Sequence, residues 1–449
     1  MLPTPPARAP RARRDFLKAG ALVFGGLTLT DVFAARAASG ATRDTSVILI
    51  FLSGGPSHLE TYDLKPDAPV AYRSVFGPVR TNVPGINICE LFPRQAKLAD
   101  KFALVRSLNH DVNIHSDGGI VVLTGKKPTV PDPLSQSKSE HPDFGSVASF
   151  VRGPHRDALP AYVGIPSGTY MTRPTYVGQQ HGAFAVNNPN FPPPFLSLGG
   201  NSGRLNDRKK LLGDLDTMRR DFDASGKLAT SDTHTRQAFE LLSSKKVAEA
   251  FDLNRESDKT RDRYGRHLWG QGCLLARRLA AAGTSVVSVT FNTPQNGPEF
   301  TNWDDHILNA NRPGHFAGYM KTRLPYMDEA LSALIEDVYA RDLDKQILVV
   351  VVGEFGRTPR LSSNASGTGR DHWPQAYSAL LSGGGLKTGQ AIGATNVRGE
   401  FPSQKPYSPY DLLATVYKHL GIDRHKPLYD ATGKPVAVLP DGEPIAELG

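Results

Sequence analysis

Three continuous apolar segments, rich in β-branched residues, alternate along the chain with segments of helical periodicity. They cover residues 46–52, 283–291 and 346–352. Because each segment consists mainly of apolar and β-branched residues, it is typical of a strand that is buried on both faces. The pattern therefore predicts an α/β protein with a parallel sheet.

Two amphipathic segments precede the second and third of these strands, as crossover helices do. The first covers residues 268–282. The second carries apolar residues on one helical face, at spacings of four, three and four: Met327, Leu331, Leu334 and Val338. Repeated helix–strand units predict a three-layer α/β/α sandwich with a mainly parallel central sheet, in which ligands bind at the carboxyl ends of the strands.

The remaining segments differ from these units in composition. Residues 126–200 are rich in Pro, Gly, Ser and Asn and predict long loops, whereas residues 205–260 are highly charged and predict helices. We interpret residues 126–260 as loop and helical insertions that cover the functional site. Residues 38–449 are accordingly expected to form a single domain.

The first 37 residues have the pattern of an export signal. Arg13 and Arg14 are followed by Phe-Leu-Lys, by a modestly apolar stretch at 19–29 and by a small-x-small site at 35–37. The pattern resembles a twin-arginine signal peptide, and its apolar run is too short for a stable membrane span. The resemblance implies removal of the signal, a periplasmic or extracellular location and export of a folded chain, often with its cofactor bound. The alternative is a basic amphipathic helix that stays on the mature protein.

Composition and charge narrow the function classes. The 449 residues are 39% apolar and 21% charged, which is typical of a folded globular protein. The formal net charge is +8, but half of this excess lies in residues 1–37, and the remainder has no polybasic run. We therefore expect no nucleic-acid partner, while an anionic substrate is compatible with the mildly basic body. The two cysteines, Cys89 and Cys273, could pair after export or remain as buried thiols.

Carboxylates and imidazoles occur in five separate loops that we expect at one edge of the sheet. The loops cover residues 54–63, 113–118, 303–306, 353–359 and 369–373. Each residue alone could be a hydrogen-bonded structural histidine or a capping acid, but several such ligands together can replace the water shell of a divalent cation. We predict a metal site for zinc, calcium or manganese. Its candidate ligands are His58, Asp63, Asp304, His306, Glu354, Asp371 and His372.

Two segments resemble loops of the sulfatases and alkaline-phosphatase-like enzymes. Residues 326–356 are similar to the helix, turn and strand that lead in those enzymes to a Ser-Asp-His-Gly or Ser-Asp-Asn-Gly metal loop, with Glu354 at the Asp position. Residues 115–125, which end in Leu-Thr-Gly, resemble the sulfatase nucleophile segment, with His115 at the nucleophile position. The resemblance implies an alkaline-phosphatase-like fold in which His115 or Ser116 attacks the ester, or His115 acts as a base. Because the Pro-Ser-Arg that supports a formylglycine is absent, a conventional sulfatase is not expected.

The whole mature chain is similar to an exported bacterial family of unassigned function, the domain of unknown function 1501. Five motifs carry the similarity: Gly-Gly-Pro-Ser-His at 54–58, Trp-Asp-Asp-His at 303–306, Gly-Glu-Phe-Gly-Arg-Thr-Pro at 353–359, Gly-Arg-Asp-His-Trp at 369–373 and Gly-Gly-Gly at 383–385. Members of this family often occur beside a second exported family, so the resemblance also implies an exported protein as a partner.

Two functions follow from these resemblances. The first is an exported, metal-dependent hydrolase of phosphate or sulfate esters, in which Arg357 or Arg370 neutralises charge on the oxyanion. For Arg357, the alternative is an ion pair with Glu354. The second is a non-catalytic protein of the same fold that serves binding or envelope assembly. Gly54 and Gly55 favour the non-catalytic function, because the enzymes that the chain resembles carry metal-binding carboxylates at these positions after the first strand.

Overall fold

The computed structural model describes residues 44–153, 159–193, 244–294, 302–309, 312–313 and 316–449. The predicted signal at residues 1–37 and residues 205–243 of the charged helical segment lie outside the described residues. No helix in these described ranges is long and apolar enough to cross a membrane.

An eight-stranded sheet forms the centre of the fold. In chain order its strands are β1 (Ser46–Phe51), β2 (Phe102–Leu108), β3 (Tyr162–Ile165), β4 (Phe184–Ala185), β5 (Val286–Thr290), β6 (Ile347–Val352), β7 (Tyr377–Gly383) and β8 (Gln390–Ile392). Across the sheet the order is β8-β2-β7-β6-β1-β5-β3-β4. Within this sheet β7 runs antiparallel to its two neighbours, and the other pairs are parallel. The predicted mainly parallel sheet is confirmed.

The central strand β1 shows why the apolar segments form strands. It pairs in parallel with β6, with Ser46 opposite Ile347, and with β5, with Val47 opposite Val286. All six residues of β1 and of β6 are buried. A strand that is covered on both faces needs apolar side chains on both, so the continuous runs favour this position.

Helices cover both faces of the sheet. The described helices are α1 (His115–Thr124), α2 (Phe144–Arg152), α3 (Lys245–Phe251), α4 (Asp258–Tyr264), α5 (Leu268–Ala281), α6 (Phe316–Ala340) and α7 (Pro409–Leu420). Alternate residues of β1 enter two hydrophobic cores: Ile48 and Ile50 enter one that contains α5 and α6, and Val47 and Leu49 enter one that contains α1, α2 and α7. The three-layer α/β/α architecture is therefore confirmed.

Six two-stranded ribbons lie outside the sheet in the described chain. They pair Pro78–Arg80 with Asn87–Cys89, Leu308–Asn309 with Arg312–Pro313, Gly356–Arg357 with His372–Trp373, Ser362–Asn364 with Gly367–Gly369, Ala394–Thr395 with Pro402–Gln404, and Pro427–Tyr429 with Pro435–Ala437. The third ribbon joins two of the motif loops, because Arg357 lies opposite His372.

The sequence places the long strands within a few residues, but helix α6 begins at Phe316, before the periodic positions from Met327 onwards. Residues 115–118, which it places in a loop, begin helix α1, and it also misses short elements. Residues 126–200, for which it predicts long loops, also contain α2, β3 and β4. Strand β3 has only four residues and β4 only two, so neither carries a long apolar run. The two thiols are free and buried, so the disulfide considered above is absent, and burial raises the pKa of Cys89 to about 12.

A buried ion pair ties the loop after β5 to helix α6. Arg323 Nη2 lies 2.5 Å from Asp305 Oδ2, and neither side chain is exposed. Removing one partner of a buried pair leaves the other charge in a low dielectric, which typically costs about 3–5 kcal/mol.

We therefore expect Asp305→Asn to lower the free energy of unfolding by about 3 kcal/mol or more, measured by urea unfolding at neutral pH. The matched control is Arg94→Gln, which removes the exposed pair between Arg94 and Glu329 and should change stability by less than about 1 kcal/mol. Equal losses in the two variants would show that the pair with Arg323 contributes no more than a surface contact.

Candidate metal centre

Three neighbouring strands bring the backbone of the site together. Beyond its carboxyl end, β1 continues to Gly54, β6 continues to Glu354, and the chain after β5 returns at residues 302–307. A Cβ on Gly54 would lie 2.5 Å from the amide nitrogen of Asp304, and the φ angle of Gly54 is +110°. Both facts require glycine, because any larger residue would push the returning loop away from β1.

Trp303 anchors the returning loop. Its amide donates to the carbonyl of Ser53 at 2.8 Å, and its indole N–H donates to the carbonyl of Phe291 at 2.7 Å. The side chain of Trp303 is fully buried. Because the loop is tied to the ends of both β1 and β5, Asp304 and His306 project from a fixed backbone.

Four side chains converge at one point. One nitrogen from each of His115, His306 and His372 and one carboxylate oxygen of Asp304 all lie within 4.8 Å of one another. The Nε2 atoms of these histidines lie 3.1, 2.9 and 3.2 Å from Asp304 Oδ1, in the order given. The cluster is partly accessible, since these side chains are between 17% and 30% exposed. We call these four residues the metal cluster, meaning a cluster of candidate metal ligands.

The other nitrogen of each imidazole contacts an oxygen. Nδ1 of His115 lies 2.7 Å from Glu354 Oε1, Nδ1 of His306 lies 2.8 Å from Asp371 Oδ1, and Nδ1 of His372 lies 2.7 Å from the carbonyl oxygen of Asn113. An oxygen acceptor at Nδ1 favours the tautomer that carries its proton there. The lone pair on Nε2 is then directed towards the common point, which is the arrangement that metal-binding histidines have in proteins.

These donors fit a divalent cation. Nε2 of His115 is buried and has no hydrogen-bond partner of good geometry. Nε2 of His306 and Nε2 of His372 lie 2.9 Å apart, where two lone pairs repel unless a proton or a cation lies between them. Three imidazole nitrogens and one carboxylate oxygen favour zinc, because calcium prefers a shell of oxygens.

The charges around Asp304 stabilise its carboxylate. Burial acts to raise the pKa of Asp304, but the three imidazoles and the guanidinium of Arg357 outweigh it and lower the pKa well below its usual range. Arg357 Nη2 donates to Asp304 Oδ1 at 2.6 Å. Asp304 is therefore the anion that balances the positive groups of the cluster.

His115 is held between two carboxylates. Burial acts to lower its pKa, but Asp304 and Glu354 raise the pKa to about 9. Glu354 is 1% exposed, and its Oε1 also accepts from the amide of Gly54 at 2.7 Å. Asp304 likewise raises the pKa of His306, whereas burial lowers that of His372.

The structure brings three of the seven proposed metal ligands, Asp304, His306 and His372, into the cluster and places two directly behind it. The fourth member of the cluster is His115, for which the sequence predicts the part of a nucleophile or base. Glu354 and Asp371 contact the Nδ1 atoms of His115 and His306. They are therefore placed to orient the imidazoles. The sequence cannot tell a carboxylate that orients a histidine from one that binds the cation, because both would occur in the same loop.

His58 and Asp63 lie elsewhere, so the structure does not place them in the cluster as the sequence predicts. His58 Nε2 donates to the carbonyl of Gly399 at 2.8 Å, and burial lowers its pKa. Asp63 lies 3.0 Å from Lys65 and accepts from the hydroxyl of Thr395. Both side chains are buried against residues 395–399, so the loop after β1 turns away from the cluster.

The predicted catalytic residues have mainly structural contacts. Ser116 is fully buried, and its hydroxyl donates to Asp117 Oδ1 at 3.1 Å. Arg357 and Arg370 are also fully buried. Arg357 donates to Asp304 and to the carbonyls of Gly54, Gly55 and Arg370. Its carboxylate partner is therefore Asp304 and not Glu354. Arg370 donates to Glu60 and to the carbonyls of Arg73, Thr358 and Pro359.

Tyr170 is a site residue that the sequence does not predict. It is 44% exposed, and burial together with the charges of Glu354 and Asp304 raises the pKa of its phenol. Its hydroxyl lies 3.3 Å from that of Ser135, which accepts from the amide of Ser116 at 3.0 Å. A lone tyrosine in a Pro- and Gly-rich segment carries no motif, so only the fold shows that it lies near these carboxylates.

The chain belongs to the family described as "Protein of unknown function (DUF1501)", which matches residues 44–448. The family predicted from the five motifs is therefore confirmed. No protein with a curated description matches the sequence.

Solved structures of sulfatases and of the alkaline phosphatase superfamily are similar to this chain at low identity. The lipoteichoic acid synthase of Listeria monocytogenes is 10% identical with a TM-score of 0.39, and the match covers 86% of this chain and 74% of that one. A putative sulfatase from Bacteroides thetaiotaomicron is 11% identical with a TM-score of 0.40, covering 89% and 74%. An alkaline phosphatase superfamily protein from Vibrio parahaemolyticus is 11% identical with a TM-score of 0.36, covering 88% and 70%.

The metal-free protein should lose stability as the pH rises. The pKa of His115 is about 9 in the fold, above its ordinary value of 6.5, so its stabilising effect is complete below about pH 6.5 and is lost as the pH rises through 9. In EDTA, we expect the free energy of urea unfolding to fall between these values, by on the order of 3 kcal/mol.

His115→Gln should flatten this dependence, because it removes the group that titrates. Saturating zinc should reverse the pH dependence of the free energy of unfolding, since the cation competes with protons for the imidazoles and binds more tightly at higher pH. An identical slope in the native chain and in His115→Gln would contradict the assignment to His115.

Proposed function

We propose that this chain is an exported metalloprotein that hydrolyses phosphate or sulfate esters with a divalent cation, zinc first among them. The ligands are His115, Asp304, His306 and His372. One observation carries the proposal: three Nε2 atoms and Asp304 Oδ1 meet at one point, while each Nδ1 is bonded to an oxygen. The motif resemblance to sulfatases and phosphatases and the mildly basic body support an anionic ester as the substrate.

The residues around the cluster have defined parts in this function. When bound, the cation supplies a Lewis acid that polarises an ester oxygen and makes water more acidic. Glu354 and Asp371 orient two of the imidazoles, and the Asn113 carbonyl orients the third. Arg357 is 2.6 Å from Asp304 and holds that carboxylate in its ionised form.

The contacts of the candidate nucleophiles favour attack by water over a covalent intermediate. The hydroxyl of Ser116 is buried and bonded to Asp117. His115 faces a carboxylate with each of its nitrogens. Asp371, whose side chain is 60% exposed, is the carboxylate that can accept a proton from the attacking water.

Two further residues suit an anionic substrate. Tyr170 is 44% exposed, its hydroxyl lies 3.3 Å from that of Ser135, and the charges of Glu354 and Asp304 help to raise the pKa of its phenol. The ammonium of Lys138 lies 5.2 Å from the centre of the Tyr170 ring. The Lys138 ammonium also donates to the carbonyl of Tyr170, so the pair joins a phenol hydroxyl and a positive charge, which favour the oxygens of a phosphate or sulfate.

A second candidate function is a non-catalytic metal centre that serves binding or envelope assembly with another exported protein. The observation that favours it is the state of Arg357 and Arg370. Both guanidiniums are fully buried and donate mainly to backbone carbonyls, so neither is available to an oxyanion in this conformation. Activity and metal content together separate the two functions.

Elemental analysis of the purified chain should show about one zinc per molecule. The double variant His306→Ala, His372→Ala removes two of four ligands and should lose most of the metal. The control His425→Ala changes an exposed histidine outside the cluster and should keep it. If the double variant retains the metal of the native chain, the cluster is not the metal site.

Hydrolysis of p-nitrophenyl phosphate and p-nitrophenyl sulfate should depend on the bound metal and disappear in the double variant. Ser116→Ala should retain most of the activity, because its hydroxyl is not the nucleophile proposed here. Metal binding without hydrolysis of either ester would overturn the hydrolase and support the binding function.

We also propose that residues 1–37 direct export through the twin-arginine route. The support is the pattern of Arg13, Arg14 and the apolar stretch that follows. The double variant Arg13→Lys, Arg14→Lys should stay in the cytoplasmic fraction of the host, because this route requires the paired guanidiniums. The control Arg8→Lys, Arg11→Lys should still be exported, as followed by fractionation and immunoblotting. Equal distribution of both variants would contradict the proposal.

A further inference from the structure

A cavity of about 390 Å³ lies apart from the metal cluster. Strand β2, residues 63–68 and the segment around Thr395 form its walls, and it includes no residue of the metal cluster. Its volume is within the range of small-molecule sites in proteins, which is about 300–1,000 Å³.

Arg106 of β2 is the residue in this cavity that points to a ligand. Its side chain is partly buried. Burial lowers the pKa of the guanidinium, and the charge of Asp63 acts to raise it. Its Nη2 donates to the carbonyl of Asn87 at 2.9 Å, whereas its Nε is buried and has no hydrogen-bond partner. No carboxylate of the described residues forms an ion pair with it. A guanidinium nitrogen that is buried without an acceptor is unfavourable unless a ligand completes its contacts.

The carboxylates in the cavity wall form no ion pair with Arg106, although the charge of Asp63 acts on its guanidinium. Asp63 is paired with Lys65 at 3.0 Å and accepts from the hydroxyl of Thr395. The Lys65 ammonium also donates to the Thr395 carbonyl at 3.2 Å. Asp67 is exposed to solvent. Arg106 is therefore the cation of this cavity that forms no ion pair with the described residues.

One part of the wall is apolar. Leu64, Ala68, Pro78 and Val397 line it, and the side chain of Val397 is 79% exposed at its surface. Apolar side chains next to a cation that forms no ion pair suit a ligand that has an anionic group and a partly apolar body.

We propose that this cavity binds a small molecule with a phosphate, sulfate or carboxylate group, through Arg106. The planar guanidinium can donate two parallel hydrogen bonds to such a group. The apolar side chains of the wall receive the remainder of the ligand. This site is independent of the proposed hydrolase, because it shares no residue with the metal cluster.

Hydrogen–deuterium exchange of the metal-loaded full chain tests the site, with inorganic phosphate as the probe and acetate in parallel. The readout is local, so anion binding at the metal cluster does not obscure it. Phosphate should slow exchange at residues 64–68 and 395–398 in the native chain. The variant Arg106→Gln should need at least about tenfold more phosphate for the same protection, since it loses a charge-assisted contact. Protection by acetate but not phosphate would assign the site to carboxylates.

Arg80→Gln is the matched control, because Arg80 is exposed on the neighbouring ribbon and does not line the cavity. It should keep the native response. Without anion, Arg106→Gln should unfold at about the same temperature as the native chain, because the guanidinium forms no ion pair with the described residues. Absence of protection in the native chain, or equal protection in Arg106→Gln, would overturn the proposal. If Arg106→Gln fails to fold, the native response to phosphate alone decides it.

Discussion

The site depends on a single carboxylate oxygen, Oδ1 of Asp304. Three imidazole nitrogens lie within 3.2 Å of it, and Arg357 donates to it at 2.6 Å. Without this negative charge, the protonated His115 and the guanidinium of Arg357 would lose a shared counter-ion in a partly buried setting. Asp304 is thus the contact shared by helix α1, which carries His115, by the loop of His306 and by the ribbon of Arg357 and His372.

Gly54 makes this convergence possible. Sulfatases and phosphatases, which the motifs resemble, carry metal-binding carboxylates directly after the first strand, whereas this chain has Gly54 and Gly55. The glycine lets the loop that carries Asp304 approach the end of β1, its amide donates to Glu354, and its carbonyl accepts from Arg357. At the position where the resemblance implies a metal-binding side chain, this chain therefore has a glycine that contributes backbone contacts.

The sequence predicts the sheet and the edge at which the site lies, because continuous apolar runs mark buried strands and parallel strands deliver their carboxyl ends together. It cannot tell which polar residue of a loop reaches the common point. His58 and Asp63 follow β1 as expected, but Gly399 and Thr395, more than 300 residues away in the chain, hold them elsewhere. The same limit applies to Arg357 and Arg370, whose backbone partners depend on tertiary contacts alone.

The contact between Arg357 and Asp304 also bears on whether the centre is catalytic or structural. Four protein ligands complete the tetrahedral shell of a structural zinc ion, whereas catalytic sites keep one position open. Asp304 Oδ1 already accepts from a guanidinium that cannot lose its proton, so its lone pairs are shared between Arg357 and the common point. This weakens Asp304 as a ligand compared with the three imidazoles. If zinc were bound, the three imidazoles would be its stronger ligands, and the fourth position would be the one more open to water or substrate, as in catalytic zinc sites.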